Sequence, residues 1–126
     1  MITLSGVTKS FDDGTAFAIR DVSFDVPAGS FVAIVGGSGS GKTTTLKTIN
    51  RLIEPEAGSI VVDGHSVGSI EPHALRRRIG YVFQGIGLFP HMNVAGNIGI
   101  TPQLLGWPAA DIQMRTLELL DLVDLP

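Results

Sequence analysis

The chain contains no cysteine. Disulfide staples and thiolate chemistry are therefore excluded, and a reducing cytosolic setting fits that composition. Its three histidines, His65, His73 and His91, are scattered, and no metal-ligand cluster is visible around them. No apolar stretch approaches the roughly 20 residues that a membrane-spanning helix requires. Met1 to Gly6 lacks a basic region followed by an apolar one, so no signal peptide is expected. Charge is also modest: 17% of residues are charged and the net charge is −3, which gives no electrostatic bias toward nucleic acid or an anionic membrane. Internal repeats and low-complexity segments are missing as well. What remains is 126 residues, 44% of them hydrophobic, enough for one domain with a real core.

Glycine, by contrast, is plentiful, and it concentrates in one stretch: Gly36-Gly37-Ser38-Gly39-Ser40-Gly41-Lys42-Thr43, followed by Thr44. This fits GxxxxGK[ST], a loop that wraps the phosphates of a nucleoside triphosphate. Glycines allow successive N–H groups to turn inward and form a partly positive nest. A helix starting near Lys42 adds its positive dipole end. The Lys42 ammonium can reach the β- and γ-phosphates, and the Thr43 hydroxyl can join the shell of a Mg²⁺ ion. Context supports the motif. Phe31-Val32-Ala33-Ile34-Val35 is a continuous apolar run expected to be a doubly buried strand, and Leu46, Ile49, Leu52 and Ile53 recur at helical spacing. A flexible Gly/Ser linker containing Lys-Thr by chance is the alternative, and the strand and helix in register argue against it.

The rest of the chain supplies flanking elements. Ile2, Leu4 and Val7 begin a strand, a polar turn runs from Ser10 to Thr15 through Asp12, Asp13 and Gly14, and a second strand spans about Phe17 to Val26. The short turn implies an antiparallel pair. Phe11, just before that turn, reads from composition as a core or staple residue. Glu54-Pro55-Glu56-Ala57-Gly58 breaks the loop's helix, and Ser59-Ile60-Val61-Val62-Asp63-Gly64 is a strand that closes on a turn. Asp63 could be taken for a Mg²⁺ ligand at a strand end, but Asp-Gly is a turn signal and no glutamate adjoins it. A short helix is expected over Glu71 to Arg78, with Arg76-Arg77-Arg78 as a solvated face near its end. Ile79 to Phe83 reads as a strand, with Gln84 at its carboxyl end, where open α/β sheets place ligands. Gly85 to Met92 is apolar and glycine-rich, suited to a packed loop or to a patch that another protein covers. Val94 to Leu105 is helical in pattern, interrupted at Pro102, and a last helix is expected over about 108–123.

These motifs together resemble the ATP-binding subunit of ABC transporters, over the whole chain. The resemblance rests on the phosphate loop, on Tyr81-Val82-Phe83-Gln84, and on Asp21-Val22-Ser23-Phe24 followed by Pro27-Ala28-Gly29-Ser30. It implies an α/β P-loop NTPase fold with an antiparallel β part over about 1–30, a P-loop core over 31–84, and the start of a helical part over 85–126. It also implies that Gln84 is the Q-loop residue that touches Mg²⁺ or the attacking water. On the same ground Phe11 is the aromatic that stacks on adenine, which displaces the core reading. From about Gly85 to Asn97 the chain would receive a cytoplasmic helix of the transmembrane permease subunit. A second ATP-binding subunit would complete the intact transporter, and the location would be cytoplasmic, peripheral to the inner face of the cell membrane. A finer resemblance is to importers of quaternary amines such as glycine betaine, choline or carnitine, through Leu46 to Pro55 and Gln84 to Met92. Gly96 departs from the glutamate often found there, and Gly85 from a second glutamine.

The resemblance also implies elements that this sequence does not display: a signature motif of the LSGGQ type, an apolar strand ending in Asp-Glu, and a switch histidine. The expectation is a truncated domain with an incomplete parallel sheet that binds ATP with Mg²⁺ but hydrolyses it negligibly. Two apolar strand edges would be left unpaired, so that the fragment self-associates. A stand-alone, non-catalytic nucleotide-binding or interaction module is the alternative.

Overall fold

The computed structural model describes residues 1–12 and 14–126; Asp13, placed by its sequence in the first turn, lies outside the described residues. The chain divides into two compact units, Met1–Ile79 and Gly80–Pro126.

The first unit is built on an antiparallel sheet of order β2-β1-β3-β4. Strand β1 (Ile2–Ser10) pairs with β2 (Phe17–Val26) from Ile2↔Val26 to Ser10↔Phe17, as the short polar turn requires. β3 (Ala57–Val62) joins the other edge of β1, with Ile2 opposite Val62, and the short β4 (His65–Ser66) pairs with β3. The buried residues of β1 are Leu4, Val7 and Ser10, three apart rather than two. Register shifts between Leu4 and Val7, and again before Lys9 and Ser10, account for that spacing, because each irregularity resets which face a side chain meets. Leu4, Val7, Ile19 and Ile60 from the sheet form the core with Ile49, Val67 and Leu75. Each such side chain contributes about 1.5–3 kcal/mol when fully buried.

Between β3 and β4 lies the two-residue turn Asp63-Gly64, with positive φ at both positions. That is the hairpin geometry Asp-Gly favours. The Asp63 carboxylate pairs with the Met1 ammonium at 2.6 Å, which holds its pKa below the usual carboxylate value. The turn reading of Asp63 is thus correct.

Helix α1 (Lys42–Ile49) is shorter than its apolar spacing suggests. It buries Thr45, Thr48 and Ile49, whereas Leu46 and Leu52 are exposed. Asn50 closes it, its side chain accepting from the Leu52 N–H at 3.1 Å, and Arg51 follows with φ 54°. Arg76, at the end of α2 (Pro72–Arg76), donates from Nε to the Asn50 carbonyl at 3.1 Å and from its fork to the Arg51 carbonyl. A cation on carbonyls at a helix C-terminus is favourable. Arg76 is therefore a helix cap from another element, while it stays exposed with Arg77 and Arg78, as the solvated basic face requires.

In the second unit, α3 (Val94–Leu104) is capped by Asn93, whose side chain accepts the Gly96 N–H at 2.8 Å. Contrary to expectation, α3 continues through Pro102 to Leu104. It ends where the Trp107 N–H reaches the Pro102 carbonyl and the Gly106 N–H reaches Gln103, the paired bonds of a Schellman ending. α4 (Ala109–Leu122) follows the Pro108 start, close to its expected bounds. Gly99 of α3 sits so near Ile112 of α4 that a Cβ there would come within 3.0 Å of the Ile112 methyl. Among the described residues, no helix is long and apolar enough to cross a membrane.

Two expected strands did not form. Residues 31–35 and 79–83 have no ladder partner among the described residues. Phe31 is 94% exposed and Val82 95% exposed. A parallel strand has no hairpin partner next to it in sequence and depends on neighbours brought from far along the chain. Within the first unit, Val32 and Ile34 instead line two cavities of 590 and 540 Å³, against Phe24 and the other apolar residues of β2 and α1.

Candidate functional site

The phosphate loop condenses at the start of α1. Gly41 takes φ 86° as the N-cap, and its carbonyl accepts the Thr45 N–H at 2.8 Å. A Cβ at Gly41 would run into the Ala18 carbonyl oxygen and the Ile19 side chain of β2, so the loop is pressed against the sheet by the one residue type that fits. The resulting cavity of 160 Å³ is lined by Ala18 and by Gly39, Ser40, Gly41, Lys42, Thr43 and Thr44.

The donors and acceptors of this cradle are divided along the loop. Ser40 N–H bonds the Gly37 carbonyl at 3.3 Å, which closes the turn. The N–H groups of Gly39, Gly41, Lys42, Thr43 and Thr44 have no acceptor among the described residues. Those of Gly41 to Thr44 are the orphan donors of a helix start, and they coincide with its positive dipole end. The Lys42 ammonium folds back over the loop, donating to the carbonyls of Gly36 at 2.9 Å and Gly37 at 2.6 Å, and to Ser40 Oγ at 3.3 Å. The carbonyls of Gly36 and Gly37 thus brace the lysine. The hydroxyl of Thr43 makes no hydrogen bond among the described residues, whereas Thr45 Oγ1 is turned back on the Gly41 carbonyl. No carboxylate lines the cradle among the described residues.

The other predicted site residues lie apart from this cluster in the chain. Phe11 is 65% exposed, which removes the reading of it as a core residue. It follows Ser10, whose β partner Phe17 precedes the cradle-lining Ala18. Ser38 is exposed at the loop's tip. Gln84 is exposed and belongs to the second unit. In that same unit, residues of the stretch 86–98 line a groove of 660 Å³ with Leu119, Leu120, Val123 and Leu125. Its lining is apolar apart from Asn97, whose side chain accepts the Phe89 N–H at 2.7 Å and donates to the carbonyls of Phe89, Met92 and Asn93.

Three contributors carried no motif. Ala18 is an anonymous strand residue until the hairpin and loop are packed. Asn97 had a weak signal, as a polar residue inside an apolar stretch. Ser10 had one too, a serine two residues before an aspartate at a strand end.

The ABC transporter family matches this chain over residues 19–126. The chain belongs to the ABC transporter family. It is 49% identical over 125 residues to the choline transport ATP-binding protein OpuBA of Bacillus subtilis, across 99% of this chain and 32% of that protein. It is 47% identical over 125 residues to the glycine betaine/carnitine/choline transport ATP-binding protein OpuCA of the same organism, across 99% of this chain and 33% of that relative. The chain thus spans about a third of the length of these curated relatives. Among solved structures it is similar to the ATP-binding cassette MJ0796 bound to ADP and Pi in a dimeric post-hydrolysis state. That match has a TM-score of 0.85 and 29% identity, covering 100% of this chain and 58% of the other. The fold is accordingly that of an ABC ATPase, a P-loop NTPase, of which this chain forms a part.

Proposed function

We propose that this chain binds ATP with Mg²⁺ through the cradle at Gly36–Thr44, as part of the energy-coupling subunit of an importer for glycine betaine, choline or related quaternary amines. The observation that carries the binding reading is the set of N–H groups of Gly39 and of Gly41 to Thr44, unpaired among the described residues, on one small cavity beside the Lys42 ammonium. Unpaired donors at a helix start favour an anion. The weakest of the lysine's three bonds, to Ser40 Oγ at 3.3 Å, is the one a phosphate oxygen would replace. The Thr43 hydroxyl, without a partner among the described residues, suits a hard cation that arrives with the nucleotide, and Mg²⁺ would supply charge neutralisation at the phosphates. Phe11 would stack on the base, and Gln84 would join the metal or water side of the site.

Positioning a water for attack requires an orienting group, and no carboxylate lines the cradle among the described residues. The chain by itself is therefore expected to bind nucleotide with negligible turnover. The groove over residues 86–98 would receive a helix of a transmembrane permease subunit, consistent with its almost wholly apolar lining. That partner, together with a second ATP-binding subunit, would hold the chain at the inner face of the cell membrane.

Titration with a fluorescent ATP analogue and Mg²⁺ tests the binding reading. Lys42→Ala removes a charged donor and should weaken binding about tenfold to a hundredfold. Thr43→Ala should narrow the difference between affinities measured with and without Mg²⁺. Unchanged affinity in Lys42→Ala would overturn the assignment, and phosphate release at transporter rates would overturn the absence of turnover.

A further inference from the structure

Phe11 stands between two residues whose side chains tie the end of the first hairpin shut. Ser10 is only 1% exposed, and its hydroxyl is the centre of the knot. It lies 2.8 Å from the Ala16 carbonyl and 2.9 Å from Asp12 Oδ1, and it accepts the N–H groups of Gly14 at 3.0 Å and Asp12 at 3.3 Å. The Asp12 carboxylate in turn accepts the Ala16 N–H at 2.7 Å, and the Thr15 hydroxyl donates to the Asp12 carbonyl at 2.8 Å. A buried hydroxyl without partners costs about 1–3 kcal/mol, so this one is retained only because the turn closes around it. On the other side, the Lys9 ammonium is tethered to Glu56 at 3.1 Å and stands 5.5 Å from the centroid of the Phe11 ring.

The backbone carrying Phe11 is thus fixed on both flanks, while the ring itself stays 65% exposed. Such an arrangement does little for the core. It does lower the ordering cost of anything that lies on the ring, because that cost has been met in the free protein. Ser10 also pairs with Phe17, the residue before cradle-lining Ala18, so the knot and the phosphate site meet at one end of the β1–β2 hairpin.

We propose that Ser10, with Asp12 as its exposed partner, is a positioning residue that presets Phe11 for stacking on the nucleotide base. This rests on the reading of Phe11 as the base platform. Binding of ATP and of inorganic tripolyphosphate, both with Mg²⁺, separates the two ideas, since tripolyphosphate has no base. Phe11→Ala should weaken ATP about fivefold to a hundredfold and leave tripolyphosphate unchanged. Ser10→Ala should weaken ATP about twofold to tenfold, leave tripolyphosphate unchanged, and add nothing when combined with Phe11→Ala. Asp12→Ala, at an exposed position, should act in the same direction, and it decides the matter if circular dichroism shows Ser10→Ala unfolded. If Phe11→Ala leaves ATP affinity intact, the stacking reading fails and the proposal with it. If Phe11→Ala weakens ATP but Ser10→Ala and Asp12→Ala do not, the positioning role alone is overturned. Equal loss of ATP and tripolyphosphate in Ser10→Ala would reduce Ser10 to a structural residue and also overturn it.

Discussion

Three glycines of the phosphate loop should respond very differently to the same added methyl group. At Gly37 a Cβ meets nothing within 4 Å and the φ is not positive, so Gly37→Ala meets neither a clash nor the left-handed region. Restricting the unfolded chain there should even stabilise by about 0.4–1 kcal/mol. Gly39 has the same open space but φ +79°, where an L side chain is strained by about 1–2 kcal/mol. Offset by the unfolded-state gain, Gly39→Ala should cost about 0–1.6 kcal/mol. Gly41 combines φ +86° with a collision against the Ala18 carbonyl and the Ile19 side chain. A carbonyl in a sheet cannot swing away as a long side chain can, so overpacking adds about 1–3 kcal/mol to the strain. Offset by the same unfolded-state gain, Gly41→Ala should therefore lose about 1–4.5 kcal/mol, and its displaced N–H groups should abolish tight nucleotide binding. Urea denaturation followed by far-ultraviolet circular dichroism measures the series, and a fluorescent ATP analogue measures the site. Equal midpoints for Gly37→Ala and Gly41→Ala would refute the packing of the loop against β2.

Asp12 predicts a pH effect. Its pKa is lowered chiefly by the Ala16 N–H, then by the Thr15 and Ser10 side chains. A depressed carboxyl contributes stability above its unfolded value of 3.8 and loses it as pH falls through the folded value. The Ala16 amide resonance should accordingly titrate below pH 3.8 and become flat in Asp12→Asn. Asn97→Ala removes the acceptor of the Phe89 N–H, so hydrogen exchange at that amide should accelerate about tenfold. The exposed apolar segment at 31–35 should drive self-association. Light scattering should show mass rising with concentration, and Phe31→Lys should reduce it. A monomer at every concentration would count against that reading.

Local chemistry in this chain was legible wherever neighbours in sequence decide the outcome. The hairpin of β1 and β2, the Asp63-Gly64 turn, and the start of α4 at Pro108 all depend on residues close to one another. The phosphate loop belongs to the same class, since its donors are successive N–H groups capped by Gly41. Misreadings occurred where distant groups compete. Leu52 and Ile53 continued the apolar spacing of α1, but the Asn50 side chain takes the Leu52 N–H and the Arg76 guanidinium donates to the Asn50 carbonyl, so the helix ends sooner. Pro102 removed one donor from α3 without ending it.

By itself, the sequence determined the antiparallel hairpin, the order of phosphate loop and helix, and the membership of the ABC transporter family that its motifs imply. Those follow from backbone freedom at glycine, turn chemistry and short-range periodicity. Only tertiary structure decided that residues 31–35 and 79–83 carry no ladder among the described residues. Pairing in a parallel sheet depends on partners far away in the chain, and apolar composition alone cannot supply them. Tertiary structure likewise decided that Arg76 caps α1, that Ala18 walls the cradle, and that a buried Ser10 hydroxyl fixes the turn beside Phe11. The Arg76 cap joins polar groups some 25 residues apart, the Ala18 wall depends on the loop packing against β2, and the Ser10 knot forms only once the turn buries its hydroxyl.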